Sequence, residues 1–297
     1  MYPAPFNYHR ANSLDEAIGM LSEIGDGARV LAGGQSLIVL LKMRFDEPSD
    51  LVDIGRIPNL DQIDDGGDAV TIGALATHRH IAASDLARAV PIIGDCANGI
   101  ADNQVRTRGT IGGSVASGDP NCDWPVLLHT LDARIDCQGP EGERTLDING
   151  FVEDYFQTVL KPGEIVKTIR FGKPAAGSGG AYCGFKRCAP AYPTVSVGVQ
   201  LSMDGQQVKS ARIAIGSAGP VASRAREAEA ELEGQTLGAG CTDKAAEAAA
   251  AALEPVEDQR GTADFKRRVI VAMTRKAIGI AQRRANGEKI KNGPEYY

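Results

Sequence analysis

Two glycine-rich segments carry the residue types best suited to binding an anion. The first follows residues 28–31, a short apolar run typical of a buried strand. Because glycine has no side chain, its backbone can approach a ligand closely and turn N–H groups towards it, which suits a pyrophosphate. The same pattern is also typical of a plain tight connection between a strand and a helix. The residues of this first loop are Ala32, Gly33, Gly34, Gln35 and Ser36.

The second loop combines glycines with hydroxyl groups and is followed by a Gly118-Asp119-Pro120 turn. Two such loops in one domain suit a dinucleotide with two phosphates. Neither is a Rossmann fingerprint, because G-x-G-x-x-G is absent and the second loop has neither a strand before it nor a helix directly after it. A Walker A loop is absent too. The residues of the second loop are Thr110, Ile111, Gly112, Gly113 and Ser114.

Composition limits the classes of partner. The net charge of −6 argues against nucleic acid, whose binding needs clustered Lys and Arg. The N-terminus lacks the pattern of a signal peptide and no apolar run is long enough to cross a bilayer, so the expected location is the cytoplasm, with the inner face of the membrane as a second option. No protein-bound metal is expected, because His78 and His80 lack a third ligand and Cys183 and Cys188 lack a following C-x2-C.

Apolar periodicity and turn residues predict an α+β fold in two domains. Residues 1–176 form the first domain, with a small βαβ subdomain (1–57) and a second subdomain (58–176) that has a mixed or antiparallel sheet with helices. The flexible composition of residues 174–180 is typical of a linker. Residues 177–297 form a C-terminal domain with a three-stranded antiparallel sheet and a helical bundle.

Within the C-terminal domain, strands are expected over residues 181–188, 194–201 and 207–216, and helices over 223–232, 242–253 and 262–284. The last helix is basic, which is typical of a solvated helix with one buried face; docking to a partner is the alternative. Its basic residues are Lys266, Arg267, Arg268, Arg275, Lys276, Arg283 and Arg284.

Taken together, the motifs resemble the medium, FAD-binding subunits of the carbon monoxide dehydrogenase and xanthine dehydrogenase group of molybdenum hydroxylases. The resemblance runs through nearly the whole chain, and residues 104–113 are its most specific part. The chain departs from the carbon monoxide branch in having Gln35 where His is usual, and Ser114 stands where Asn or Asp is common. The matching stretches are Phe6-Asn7-Tyr8, residues 32–36, residues 51–54, Ile72-Gly73-Ala74 and residues 104–113.

This resemblance implies that both glycine loops hold the pyrophosphate of non-covalently bound FAD. It also implies that Asp123 contacts the flavin nucleotide and that Leu160 and Lys186 approach the isoalloxazine. Simpler interpretations stay open, since Asp123 suits a helix cap, Lys186 a solvated strand position and Trp124 the core.

The resemblance further implies that this chain has no catalytic residue acting on the substrate. A large partner subunit with the molybdenum cofactor oxidises the substrate, and a small partner subunit with two 2Fe–2S clusters relays electrons to FAD, in a dimer of heterotrimers. The substrate and the final acceptor, whether quinone, NAD or oxygen, are left open. The rival hypotheses are a free-standing FAD-dependent oxidoreductase and a non-catalytic binding protein.

Overall fold

The computed structural model describes residues 2–296, and its first part is a small parallel sheet. The three strands lie in the order β1-β3-β2, with His9 and Val30 both opposite Val52. The predicted βαβ unit with a parallel pair is confirmed, and β1 adds a third strand. The elements are β1 (Asn7–Arg10), α1 (Leu14–Ile24), β2 (Ala28–Leu31), α2 (Leu37–Met43) and β3 (Asp50–Asp53).

Helix α1 begins after Ser13, which caps its N-terminus. The Ser13 hydroxyl accepts a hydrogen bond from the Glu16 amide at 3.1 Å, which satisfies one of the free N–H groups of the first turn. The apolar face of α1, formed by Ala17, Ile18 and Leu21, is buried with β3. Because the three strands of this sheet are parallel, their carboxyl ends lie at one edge of the sheet, where the first loop starts.

The middle part is an antiparallel sheet covered by short helices. Its five strands lie in the order β4-β5-β10-β6-β7. Trp124 and Phe151 are fully buried in the core between sheet and helices, as the sequence indicates for Trp124. The elements are β4 (Ile63–Asp64), β5 (Ala69–Gly73), α3 (His78–Ala83), α4 (Asp85–Ala89), α5 (Pro91–Gly99), α6 (Asn103–Arg106), α7 (Ile111–Ala116), α8 (Asp123–Thr130), β6 (Arg134–Gly139), β7 (Gly142–Asp147), β8 (Val152–Asp154), β9 (Gln157–Thr158) and β10 (Ile165–Gly172).

The last part is a second antiparallel sheet with one long helix packed on it. The three expected strands are the three long strands, and two strands of two residues extend the sheet at its edges, in the order β14-β13-β12-β11-β15. The helix expected from residue 223 starts later, because Ser223 and Arg224 pair with β13 instead. The elements are β11 (Ser178–Lys186), β12 (Pro193–Asp204), β13 (Gln207–Gly216), β14 (Ser223–Arg224), α9 (Arg226–Ala230), α10 (Ala239–Ala251), α11 (Ala263–Ala285) and β15 (Glu295–Tyr296).

Gly179 and Gly180 lie inside β11 and not in a flexible linker, which corrects the interpretation of residues 174–180. A Cβ atom on Gly179 would lie 2.0 Å from the Ala281 carbonyl oxygen of α11. Strand and helix therefore approach backbone to backbone at this point. Glycine is required here for close packing, not for chain flexibility.

Most basic residues of α11 pair with acidic residues of this same chain. Arg275 contacts Asp243 at 2.7 Å and Arg267 contacts Glu254 at 2.8 Å. Lys266 and Arg284 are buried, so the helix is less solvated than its sequence suggests. These pairs leave little free charge for docking to a partner. Among helices formed by residues 2–296, none combines the length and the apolar surface needed to cross a bilayer.

The close approach of β11 and α11 predicts that a side chain at Gly179 lowers the stability of the protein. Gly179→Ala should lower the free energy of unfolding by about 1–3 kcal/mol, because its methyl group forces strand and helix apart. Gly279→Ala is the matched control in α11, where a Cβ atom meets nothing within 4 Å. It should raise the stability by about 0.5–1 kcal/mol, since alanine favours a helix more than glycine does. Urea unfolding of both variants checks this, and equal midpoints would contradict it.

Candidate functional site

The first loop presents backbone donors that the protein does not use. Among residues 2–296, no acceptor binds the N–H groups of residues 33–37. Gly34 has a φ of +74°, a conformation that favours glycine, and Ser36 at the start of α2 makes no capping bond with its side chain. Successive free amides in a turn form an anion-binding concavity. The loop therefore has the donors that a pyrophosphate needs.

The fold brings the first loop into direct contact with the residues that lead into the second loop, although about 75 positions separate them in the chain. A Cβ atom on Gly33 would lie 2.0 Å from the Arg108 carbonyl oxygen and 3.0 Å from the Gly109 Cα atom. Such a distance excludes any side chain at this position. Gly33 is thus required by the packing of the first loop on the segment that leads into the second.

The second loop is the start of a helix, which corrects the expectation that no helix follows it directly. Thr110 caps α7, and its Oγ1 atom accepts from the Gly113 amide at 3.2 Å. The sequence hides this helix because α7 has only six residues, including two glycines with low helix propensity.

The backbone donors of the second loop are already engaged. The Ile111 amide donates to the Ala76 carbonyl at 3.1 Å and the Gly112 amide to the Ala74 carbonyl at 2.9 Å. Gly112 is buried, and a Cβ atom there would lie 2.4 Å from the Ala74 Cβ atom, so this position has room only for glycine. Ile111 and Gly112 therefore anchor the loop. The accessible groups are the exposed Gly113 and the Ser114 hydroxyl.

His78 connects the second loop to α8 and was not recognised from the sequence as part of the site. Its backbone N–H donates to the Gly109 carbonyl at 3.0 Å, and its Nδ1 atom accepts from Trp124 Nε1 at 3.0 Å. Burial, with a smaller effect of the Arg106 guanidinium, lowers the pKa of His78 to about 4. The imidazole is neutral near pH 7, so its Nδ1 atom is free to accept. No sequence motif marks this contact, because His78 and Trp124 lie 46 positions apart.

Asp123 and Lys186 meet in the interior beneath the second loop. The Asp123 Oδ1 atom accepts from the Tyr182 hydroxyl at 2.8 Å and lies 3.8 Å from Lys186 Nζ. Lys186 also donates to the Gly99 carbonyl at 2.6 Å. Lys186 is only 1% exposed, so it is not a solvated strand residue. Cys122 holds the N-cap position of α8, so Asp123 is not the helix cap.

Leu160 follows β9 and packs, half-buried, against the central core. Its place near the isoalloxazine stays a prediction, as does that of Lys186, whose side chain points into the protein. The first loop contacts residues 108–109, and His78 connects Gly109 to Trp124 at the start of α8. The free amides of the first loop, the exposed Gly113 and the Asp123 carboxylate have the chemistry that suits the phosphates and hydroxyl groups of FAD.

Comparison with known proteins defines the class of this protein. Residues 4–174 match the family of the FAD binding domain in molybdopterin dehydrogenase, and residues 180–281 match the CO dehydrogenase flavoprotein C-terminal domain. The fold and the matched domains are those of an FAD-binding subunit of an oxidoreductase.

Individual relatives narrow the assignment. The carbon monoxide dehydrogenase medium chain of Hydrogenophaga pseudoflava is 37% identical over 95% of this chain and 98% of its own. The glyceraldehyde dehydrogenase medium chain of Sulfolobus acidocaldarius is 34% identical over 94% of this chain and 99% of its own. The chain belongs to the family of FAD-binding medium subunits of the molybdenum hydroxylases.

Solved structures agree with the sequence relatives. The structure of carbon monoxide dehydrogenase from Hydrogenophaga pseudoflava superposes with a TM-score of 0.93 at 39% identity, over 96% of this chain and 99% of that one. Quinoline 2-oxidoreductase from Pseudomonas putida 86 gives 0.91 at 32% identity, over 96% and 99%.

The neutral state of His78 predicts a pH-dependent stability. Unfolding raises the pKa of His78 from about 4 to its usual 6.5, so this contribution is complete above pH 6.5 and falls as the pH drops to about 4. The total loss is about 3 kcal/mol at 1.36 kcal/mol per pKa unit. His78→Asn can keep an acceptor for Trp124 without titrating, so its melting temperature should fall less between pH 7 and pH 4.5.

The exposed His80 provides the matched control, since His80→Asn leaves the Trp124 contact intact. This variant should lose as much stability in acid as the wild type. Carboxylates also titrate in acid, but they affect all three proteins equally. One example is Asp258: burial raises its pKa, but its hydrogen bonds to Arg260 and Lys266 outweigh this effect and lower the pKa to about 2. Parallel curves for wild type and His78→Asn would show that His78 is not the titrating group.

Proposed function

We propose that this chain is the FAD-carrying electron-transfer subunit of a molybdenum hydroxylase. A large partner subunit with the molybdenum cofactor oxidises the substrate, and a small partner subunit with two 2Fe–2S clusters supplies the electrons. FAD bound here provides one- and two-electron transfer to an external acceptor. The observation that carries the proposal is the packing of two glycine loops, one with free amides, in a chain whose relatives match it from end to end.

In this proposal, each group of site residues has its own part. The free amides of residues 33–37 bind the pyrophosphate, and the Gln35 and Ser36 side chains can add donors. Thr110 and Gly112 fix the second loop so that Gly113 and Ser114 face the nucleotide. Asp123 accepts from a nucleotide hydroxyl group, and Leu160 and Lys186 border the isoalloxazine. No residue of this chain acts as a general acid or base.

The substrate of the complete enzyme is set by the large partner subunit. Relatives of similar identity are named for carbon monoxide, glyceraldehyde and quinoline, so similarity in this chain does not discriminate among them. We propose a holoenzyme of the carbon monoxide dehydrogenase type or an aromatic or N-heterocycle hydroxylase. A dimer of heterotrimers in the cytoplasm, including the inner face of the membrane, is the matching assembly. We also propose a domain boundary at residue 176, between the two matched families.

The direct test is expression of the chain together with the large and small partner subunits, which are sought in the neighbouring open reading frames. The purified complex should contain all three subunits, absorb near the flavin bands and release one FAD per chain when denatured. A chain that oxidises a small substrate alone would support a free-standing oxidoreductase instead. A colourless chain that cannot be reconstituted with FAD would support a non-catalytic binding protein.

Gly33→Ala should weaken FAD binding about tenfold or more, because separating the loops costs about 1–3 kcal/mol. The added Cβ atom would overlap the Arg108 carbonyl oxygen at 2.0 Å. Gly67→Ala is the control, since Gly67 lies on an exposed turn with nothing within 4 Å of a Cβ atom. Titration of the apoprotein with FAD, followed by flavin fluorescence, measures both. Equal affinities would argue that loop contact is irrelevant to the cofactor.

A further inference from the structure

Tyr182 is a buried residue of β11 whose backbone is held on both sides by side chains. Its N–H group donates to the Asp95 Oδ2 atom at 3.2 Å, and its carbonyl accepts from Asn292 Nδ2 at 2.7 Å. Ordinary strand pairing accounts for neither bond, since both partners are side chains from outside the sheet. Tyr182 is therefore fixed more firmly than the strand alone would fix it.

The anchor of Tyr182 is itself fixed by a buried ion pair. Arg284 binds Asp95 through two bonds, Nη1 to Oδ2 at 2.6 Å and Nη2 to Oδ1 at 2.9 Å. The side chains of both residues are 5% exposed. Arg284 also donates to the Gly180 carbonyl at 2.7 Å, two residues before Tyr182. Such a two-point contact between guanidinium and carboxylate restricts direction as well as distance.

At its other end, Tyr182 reaches the predicted cofactor site. Its hydroxyl donates to Asp123 Oδ1, and burial, followed by the nearby Asp123 charge, raises the pKa of Tyr182 well above its usual value. The phenol therefore stays protonated and acts as a donor. Lys186 approaches the same Oδ1 atom from another side. The Asp123 Oδ2 atom makes no hydrogen bond to any residue between 2 and 296, although Asp123 is only 4% exposed.

A buried carboxylate with one oxygen fixed and one oxygen unbonded has a defined direction for an outside ligand. Its free oxygen can accept from a hydroxyl group, as the ribityl and ribose parts of a flavin nucleotide present. We infer that Tyr182 is a positioning residue, which holds the Asp123 carboxylate so that Oδ2 faces a hydroxyl group of the bound flavin nucleotide. The inference rests on the proposed function, because it takes FAD as the ligand.

The test is a double-mutant cycle on the full chain, with the FAD dissociation constant as the readout. Tyr182→Phe removes only the hydroxyl and should weaken FAD about tenfold, the size expected for a hydrogen bond to a charged group. Asp123→Ala should weaken FAD at least as much. In the Asp123→Ala background, Tyr182→Phe should have no further effect, since Tyr182 acts through Asp123.

Thr130→Val is the matched control for a purely structural role. Thr130 lies at the end of α8, is fully buried and loses one hydroxyl bond, to the Val126 carbonyl at 2.8 Å, without touching Asp123. Tyr182→Phe and Thr130→Val should both lower the melting temperature of the apoprotein. Only Tyr182→Phe should weaken FAD binding, so affinity separates positioning from stability.

The outcomes are distinct. Wild-type affinity in Tyr182→Phe, or an equal loss of affinity with and without Asp123, would overturn the inference while leaving the proposed function intact. A wild-type chain that does not bind FAD would instead refute the proposed function. If Tyr182→Phe does not fold, Asp123→Asn decides the question: it keeps an acceptor for Tyr182 but turns one oxygen into a donor, and unchanged FAD affinity would overturn the inference.

Discussion

The candidate site depends on one backbone contact, between Gly33 of the first loop and the Arg108–Gly109 peptide before the second. The two loops belong to different sheets, one parallel and one antiparallel, and this contact sets their separation. Any side chain at Gly33 would increase that separation. Because a pyrophosphate is short, donors on two loops can reach it together only when the loops lie close to each other. Gly33 is therefore required by the packing of the protein itself, whether or not a ligand is bound.

The two loops contribute in different ways, although they look alike in sequence. The first has free amides and presents donors. The second has used its amides on Ala74 and Ala76, so it supplies support, an accessible glycine and a hydroxyl group. The support continues inwards through His78 and Trp124 to the start of α8. From the far side, Tyr182 links Asp123 to β11, so the C-terminal sheet takes part in a site whose loops all lie in the first 176 residues.

Local patterns made most of the fold predictable. The capping residue Ser13, the apolar alternation of the long strands and the Asp204-Gly205 turn all agree with the structure. The failures share a physical cause: they depend on contacts between segments far apart in sequence. Gly179 reads as a linker residue because its partner, Ala281, is a hundred residues away. Likewise, α7 is too short to show a helical period, and its stability comes from Thr110 and from Ala74 and Ala76.

Candidate site residues could be proposed from the resemblance, but the residues that surround them could not. His78, Asp95 and Tyr182 carry no motif, and only the fold shows that they meet Trp124, Arg284 and Asp123. The Asp95–Arg284 pair spans 189 positions, and Asn292 lies 197 positions after Asp95. Breaking a buried pair of this kind costs about 3–5 kcal/mol. During synthesis, Asp95 leaves the ribosome long before either partner exists. Its charge must stay in water until residues 284–292 have been synthesised, so the interior behind Asp123 can close only after that segment has left the ribosome.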